Sequence, residues 1–277
     1  MLTRCGVLGS PIAHSLSPAL HTAAYRALGL DWSYDAYDVD AAALPGFLAD
    51  LEPQWRGLSL TMPLKRVVLP LLDEISEVAK AAGAVNTVLL VKDGRRTGTN
   101  TDVTGMVEAL RGRGIEEVGS AAILGGGATA ASVAVALARI GCRDLVVHAR
   151  DANRTRETVE AAYRCGLSAR IEPLHRAGTT DVDLVVNTIP AAAQEPLAAQ
   201  VGGSASVVFD VVYDPWPTPL ARAAATAGAL VLGGFDLLLH QAALQVELMT
   251  GVHPAPVTAM RAAGEAALGG RAQPPGA

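Results

Sequence analysis

The sequence predicts an α/β protein of two domains, an N-terminal α/β domain followed by a doubly wound parallel sheet. Three observations carry that prediction. At 277 residues the chain is long enough for two modest hydrophobic cores. Short apolar runs alternate with helical patterns along most of its length. One glycine-rich turn, residues 125–130, sits between a strand signal and a helix signal. Half of the residues are hydrophobic and only 4% aromatic, so the cores are expected to be aliphatic.

Taken in order, Cys5–Gly9 reads as a short buried strand, and residues 10–17 form a loop. Ser17-Pro18 then starts a helix, with Ser17 expected at the N-cap and Pro18 at the first helical position. Strand Trp32–Val39, helix Ala41–Asp50 and strand Gly57–Leu60 continue the alternation. A helix Ile75–Ala82 leads to two strand candidates joined by a hairpin-like turn at Lys92-Asp93-Gly94-Arg95. Residues 99–102 close the first domain, and helix Thr104–Arg113 bridges to the second.

The second region reads as strand Ala121–Leu124, helix Thr129–Ile140, strand Leu145–Val147, helix Arg154–Cys165 and strands Leu184–Val186 and Val207–Val212. That alternation predicts a parallel sheet with helices on both faces. Asp236–Met249 reads as an apolar helix that packs back on the first domain, and Gly269–Ala277 as a disordered tail. The expected division is 1–102, 103–235, a returning segment 236–268, and the tail 269–277.

Composition also excludes. The net charge of -5 is modest and no run of Lys and Arg could track a phosphate backbone, so no nucleic-acid partner is expected. Cys5, Cys142 and Cys165 are odd in number and widely spaced, arguing against a disulfide framework or thiolate metal site. The histidines form no HExxH pair, so no protein-bound metal is expected. No apolar stretch approaches a membrane span, and the first residues carry no signal-peptide core. A cytoplasmic protein without membrane partners is expected.

The turn Gly125-Gly126-Gly127-Ala128-Thr129-Ala130 fits G-x-G-x-x-A. Gly125 permits the tight turn, Gly127 lets backbone approach a pyrophosphate, and Ala130 lets helix and strand pack closely. This is the pattern of a Rossmann-like dinucleotide site, with the anion on the helix N-terminus. An NAD site has an acidic residue at the end of the next strand, but here that strand ends in His148-Ala149. Arg150 and Arg154 follow, four residues apart on what is expected to become one helix face. Two guanidiniums suit a 2′-phosphate, so NADP is the expected cofactor. Asp151 between them opposes that reading, since a carboxylate can neutralise an arginine.

Lys65 and Asp102, read singly, are an ordinary surface lysine and a turn or cap residue. Five segments taken together say more. They are Gly6-Val-Leu-Gly-Ser-Pro-Ile-Ala-His-Ser-Leu-Ser-Pro18, Ser59-Leu-Thr-Met-Pro-Leu-Lys65, Gly83-Ala-Val-Asn-Thr87, Asn100-Thr-Asp-Val-Thr-Gly105 and Gly234-Phe-Asp-Leu-Leu-Leu-His-Gln241. In order and spacing they resemble the shikimate dehydrogenases over nearly the full length. Leu184-Val-Val-Asn-Thr-Ile-Pro190 and Asp210-Val-Val-Tyr-Asp-Pro215 look like that family too.

The resemblance implies an NADP-dependent oxidoreductase of chorismate and aromatic amino-acid biosynthesis that interconverts 3-dehydroshikimate and shikimate. Its N-terminal domain would bind the substrate and its Rossmann-like domain NADP. It implies that Ser15 and Ser17 hold the substrate carboxylate with help from Tyr213, and that Thr61, Asn86 and Gln241 bind its polar edge. Lys65 would be the general acid/base, with Asp102 orienting a substrate hydroxyl. Gly125, Gly126, Gly127, Ala128, Thr129, Arg150 and Arg154 would hold NADP, bordered by Thr188, Val211, Gly234 and Glu77. The oligomer expected is a monomer or homodimer.

Departures from the family pattern mark where the carry-over is weakest. Ala128 stands where the family often has Gly, and Leu238 where it often has Met. The family's Asn-Arg-Thr is here Ala149-Arg150-Asp151, while a literal Asn153-Arg154-Thr155 lies four residues late. Three alternatives stay open: a quinate/shikimate dehydrogenase using NAD(P), a methylene-folate dehydrogenase, and a non-catalytic NADP-binding sensor.

Overall fold

The computed structural model describes residues 2–91 and 94–271. The chain divides into two compact units. The first holds the residues up to Lys80, Ala84–Thr101 and those from Leu239 onward; the second holds Ala81–Gly83 and Asp102–Leu238.

The first unit opens with β1 (Thr3–Gly9), α1 (Ser17–Ala27), β2 (Trp32–Asp38), α2 (Leu44–Ala49) and β3 (Trp55–Leu60). A short α3 (Leu64–Val67), β4 (Glu74–Ile75), α4 (Glu77–Ala82), β5 (Thr87–Leu90) and β6 (Arg96–Thr99) follow. Its sheet runs β2-β1-β3-β5-β6-β4. β1 pairs parallel with both β2 and β3, whereas β5 runs antiparallel to β3 and β6. The hairpin strands expected on either side of residues 92–95 are thus β5 and β6. Lys92 and Asp93 of the turn itself lie outside the described residues.

The expected start of α1 needs correction. Ser17 is the first helical residue and not the cap; Leu16 is the cap, and no side chain caps this end. The Ser17 N–H donates to Ser15 Oγ at 3.3 Å. Pro18 does sit in the first turn, where its missing N–H costs nothing. Leu8, Leu44, Leu48, Leu58, Leu60, Leu64, Val85 and Val88 are buried as one aliphatic cluster in this unit.

Helix α5 (Thr101–Arg111) leads into the second unit. There follow β7 (Ser120–Leu124), α6 (Ala128–Arg139), β8 (Asp144–Ala149), α7 (Arg156–Arg164), β9 (Ser168–Pro173) and β10 (Val182–Asn187). Then come α8 (Ala198–Gly202), β11 (Ala205–Asp210), α9 (Pro219–Thr226) and β12 (Leu230–Gly233). All pairings are parallel, in the order β12-β11-β10-β7-β8-β9. This is the doubly wound arrangement in which the chain leaves β7 in one direction and returns beside it through β10. The ends of those two strands flank the topological switch point.

Four elements of this unit are absent from the sequence-based reading, the five-residue α8 among them. β9 is an edge strand whose side chains are mostly exposed, so no apolar run marks it. β12 is short. α9 did have a start signal: Thr218 Oγ1 accepts from Ala221 N at 3.1 Å, with Pro219 in the first turn.

Helix α10 (Gly234–Thr250) belongs to the first unit from Leu239 onward, and α11 (Val257–Arg271) packs against α1. From Leu239 onward the C-terminal segment groups with the first unit. Residues 269–271, expected in a disordered tail, are helical; 272–277 lie outside the described residues. No described helix is long and apolar enough to cross a membrane.

Candidate active site and cofactor loop

In the first unit, the expected substrate residues gather where β1, β3 and β5 meet their loops. Thr61 N donates to Leu8 O at 2.9 Å and Ser10 N to Met62 O at 3.0 Å, stitching the loops after β1 and β3 together. Gly9 permits this close approach, since a β-carbon there would lie 2.4 Å from Thr61 Cγ2. Val85 N donates to Lys65 O at 2.7 Å, which ties the segment 83–87 to α3 and its half-buried lysine. Ser15 is half-buried just before α1, while Ser17 is buried against His21 and Tyr34.

Asn86 is 2% exposed and lies at the centre of a neutral polar cluster. Its Oδ1 accepts from Thr101 N and from Thr87 Oγ1, both at 2.8 Å. Its Nδ2 donates to Thr101 Oγ1 at 2.9 Å and to Gln241 Oε1 at 3.4 Å. Asn86 and Gln241, expected on the same substrate edge, are brought together across 155 positions of sequence. Neutral amides and hydroxyls can read substrate hydroxyls without introducing a charge.

The cluster includes residues that sequence reasoning passed over: Tyr34, Ser59, Thr87, Thr101 and Gln245. Ser59, Thr87 and Thr101 stand inside the family-like segments, and Gln245 stands one turn beyond Gln241 and therefore on the same helix face; Tyr34 carried no signal. His21 stacks on the Tyr34 ring at 3.8 Å and 14°. Its Nδ1 lies 2.9 Å from Ser17 O, an acceptor only, so that nitrogen carries the proton. Burial lowers the His21 pKa to about 4, so the imidazole is neutral near pH 7.

Asp102 belongs to the second unit, buried in the first turn of α5, where the helix dipole favours a carboxylate. Glu77 belongs to the first unit and pairs with Lys80 at 2.7 Å on an exposed face.

The remaining residues expected to hold a cofactor all fall in the second unit, in segments that follow its strands. Gly125 follows β7 with φ of 110°, and its N–H donates to His148 O at 2.8 Å. Thr188, just past β10, donates from Oγ1 to Leu124 O at 2.7 Å and so lies across the switch point from Gly125. Gly126 packs on the turn before α7, since a β-carbon there would meet Arg154 O at 2.7 Å. Gly127 begins α6 with open space where a β-carbon would be, and no side chain caps the helix. Ala128 and Thr129 supply the first helical residues and Ala130 is fully buried. Uncapped N–H groups beside open space suit an anion.

Arg150 and Arg154 are both exposed. They do not share a helix face as expected: Arg150 precedes a 3-10 turn, Ala152–Thr155, and α7 begins only at Arg156. Asp151 is the reason, because its carboxylate caps that turn by accepting from Asn153 N at 2.9 Å. The carboxylate is thereby occupied with backbone. No acid ends β8, which closes on His148 and Ala149, and burial lowers the His148 pKa.

Val211, Tyr213 and Gly234 lie past β11 and β12. A β-carbon on Gly234 would fall 2.0 Å from Val211 O, so only glycine fits there. The loop is held by Asp210, which sequence reasoning also missed. Its buried carboxylate accepts from Thr218 Oγ1 at 2.6 Å, Asn187 Nδ2 at 2.8 Å, Val212 N at 3.0 Å and Gln194 Nε2 at 3.1 Å. Among the described residues, no group of three or more His, Cys, Asp or Glu side chains could hold a metal. All three cysteines are free, with burial pushing Cys5 and Cys142 up to about 11.

A parallel sheet in this order, with a glycine turn and an uncapped helix at its switch point, defines the dinucleotide-binding α/β class. Comparison with known proteins narrows the class. Residues 7–88 match the family described as "Shikimate dehydrogenase substrate binding domain", and residues 234–263 match "Shikimate 5'-dehydrogenase C-terminal domain". A Thermus thermophilus "Shikimate dehydrogenase (NADP(+))" is 41% identical over 273 residues, 97% of this chain and 100% of its own length. The crystal structure of Mycobacterium tuberculosis shikimate dehydrogenase superposes with a TM-score of 0.87 at 41% identity, covering 96% of this chain and 99% of its own. That of a Thermus thermophilus shikimate 5-dehydrogenase in complex with NADP(H) and shikimate gives 0.85 at 39% identity, covering 97% and 100%. The chain belongs to the shikimate dehydrogenase family.

Proposed function

We propose that this chain is an NADP-dependent shikimate dehydrogenase that reversibly reduces 3-dehydroshikimate to shikimate in chorismate and aromatic amino-acid biosynthesis. The observation that carries this reading is the neutral cluster around Asn86, built from the same motifs that place Lys65 and Thr61 beside it in the first unit. Near-full-length similarity to NADP-dependent relatives supports it.

NADPH, when bound, supplies the hydride that reduces the ketone carbon. Gly125–Thr129 would receive its pyrophosphate on the uncapped α6 N-terminus, and Arg150, with Arg154, would pair with its 2′-phosphate. Thr188, Val211 and Gly234 would border it at the strand ends, and Glu77 is the remaining assigned neighbour.

Ser15, Ser17 and Tyr213 would hold the substrate carboxylate, and Thr61, Asn86 and Gln241 its polar edge. Lys65 would give its proton to the developing alkoxide and take it back in the oxidation, while Asp102 orients the adjacent hydroxyl. An ammonium at that point also stabilises the charge that develops. The protein works in the cytoplasm as a monomer or homodimer. Initial rates with shikimate and quinate, each with NADP and with NAD, test the reading. The expected result is preference for shikimate with NADP; robust quinate oxidation with NAD alone would overturn it.

A further inference from the structure

The buried side chains of the first unit form a single hydrogen-bond chain whose direction can be worked out from two backbone groups. Gln245 Nε2 lies 3.3 Å from the Asn86 carbonyl, which only accepts, so the amide nitrogen of Gln245 must face it. Gln245 Oε1 then faces Ser59, whose hydroxyl must donate to it, at 2.8 Å. With its proton spent, Ser59 accepts from Tyr34 Oη at 2.6 Å. Tyr34 has thereby spent its proton on Ser59.

In the other direction, Gln245 Nε2 donates to Thr87 Oγ1 at 2.9 Å, and Thr87 donates to Asn86 Oδ1 at 2.8 Å. The Thr101 N–H, which only donates, independently holds Oδ1 on that side at 2.8 Å. The Asn86 amide nitrogen is left facing Thr101 Oγ1 and Gln241. The order Tyr34, Ser59, Gln245, Thr87, Asn86 is therefore fixed in both register and sense. Every member is buried, Gln245 to 1% and Thr87 to 0% exposure, so no solvent competes for these protons. His21 stacked on Tyr34 holds the ring from behind and, being neutral, adds no charge.

Resting on the functional reading above, we propose that Tyr34 and Gln245 are positioning residues for substrate recognition. Gln245, through Thr87 and together with the Thr101 N–H, holds the Asn86 amide with its nitrogen toward Gln241, Asn86 and Gln241 being the two side chains assigned to the substrate's polar edge. Tyr34, by donating to Ser59, leaves the Ser59 proton to Gln245 Oε1 and so holds Gln245 with its amide nitrogen toward Thr87 and Asn86 O.

Steady-state oxidation of shikimate with NADP by the full chain tests this, using Q245M, Y34F, N86A and the double variant Q245M/N86A. Loss of one amide orientation is worth about one hydrogen bond, so Q245M is expected to raise KM for shikimate about ten-fold. The KM for NADP should stay unchanged and kcat should move less than about three-fold. In the N86A background the same substitution should cost less than about two-fold, because Gln245 acts through Asn86. Y34F keeps the ring on His21 and removes only the hydroxyl; it should fold and shift KM for shikimate in a way that couples to Q245M.

A wild-type KM for shikimate in Q245M, or a Q245M penalty that persists in full without Asn86, overturns the inference while leaving the function standing. A wild-type chain inactive on shikimate with NADP overturns the functional reading and the inference with it.

Discussion

Thr188 Oγ1 lies where a β-carbon on Gly125 would need to be, 2.4 Å away, and the same hydroxyl donates to the carbonyl that ends β7. Gly125 also sits at φ of 110°, a conformation that L side chains rarely adopt. Gly125→Ala is therefore expected to cost about 1–3 kcal/mol of stability and to weaken NADP binding more than about ten-fold. Gly127→Ala separates the two effects: nothing lies within 4 Å of its β-carbon, so stability should change by about 1 kcal/mol or less while NADP affinity still falls. Thermal denaturation and fluorescence titration with NADPH measure both. Equal losses of stability in the two variants would refute the distinction.

The Lys65 carbonyl holds Val85, and that bond survives truncation of the side chain. Lys65→Ala is expected to leave folding and NADP binding nearly intact and to lower kcat by about 10²- to 10⁴-fold. Turnover within a few-fold of the wild-type rate would remove Lys65 from the chemistry.

Arg150 is exposed, and the neighbouring Asp151 carboxylate is engaged with Asn153 N. Arg150→Ser should raise KM for NADP about 10- to 100-fold, the worth of a hydrogen bond to a charged group, and leave NAD kinetics unchanged. Arg154→Ser should act in the same direction but more weakly. Added salt should weaken NADP binding to the wild type more than to Arg150→Ser. Parallel loss with both cofactors would instead point to a damaged loop.

His21 couples stability to pH. Its folded pKa of about 4 lies below the ordinary histidine value, so the folded state refuses a proton that the unfolded chain accepts. Its contribution is complete above about pH 6.5 and is lost as pH falls toward 4, roughly 3 kcal/mol in all. Around it, burial pushes the Tyr25 and Tyr34 phenols and the Cys5 thiol upward, away from this window. His148 shifts in the same direction as His21. His21→Phe, which keeps a ring against Tyr34, should flatten but not abolish the fall in urea midpoint between pH 6.5 and 5. An unchanged slope would show that His21 does not set it.

The cofactor loop was the most legible part of the molecule. Gly125, Gly127 and Ala130 announce a turn, an open approach and a close packing contact through the stereochemistry of a few adjacent residues. The apolar strands β7, β10 and β11 were legible for the same local reason. β9 was not, because an exposed edge strand needs no apolar face. Arg150 and Arg154 were expected on one helix face and do not share one, since the capping by Asp151 delays α7 to Arg156.

By itself the sequence determined the alternation of strand and helix, the dinucleotide turn, and, through motif order, the family to which the chain belongs. These are properties of neighbouring residues, fixed by side-chain period, turn stereochemistry and the exclusion of a β-carbon. Only the tertiary structure decided that Tyr34 finds Ser59, that Asp210 gathers four donors, and that Gln245 on α10 addresses Asn86 across 159 positions. A buried polar group must find a partner wherever packing brings one, and the identity of that partner is written in the fold.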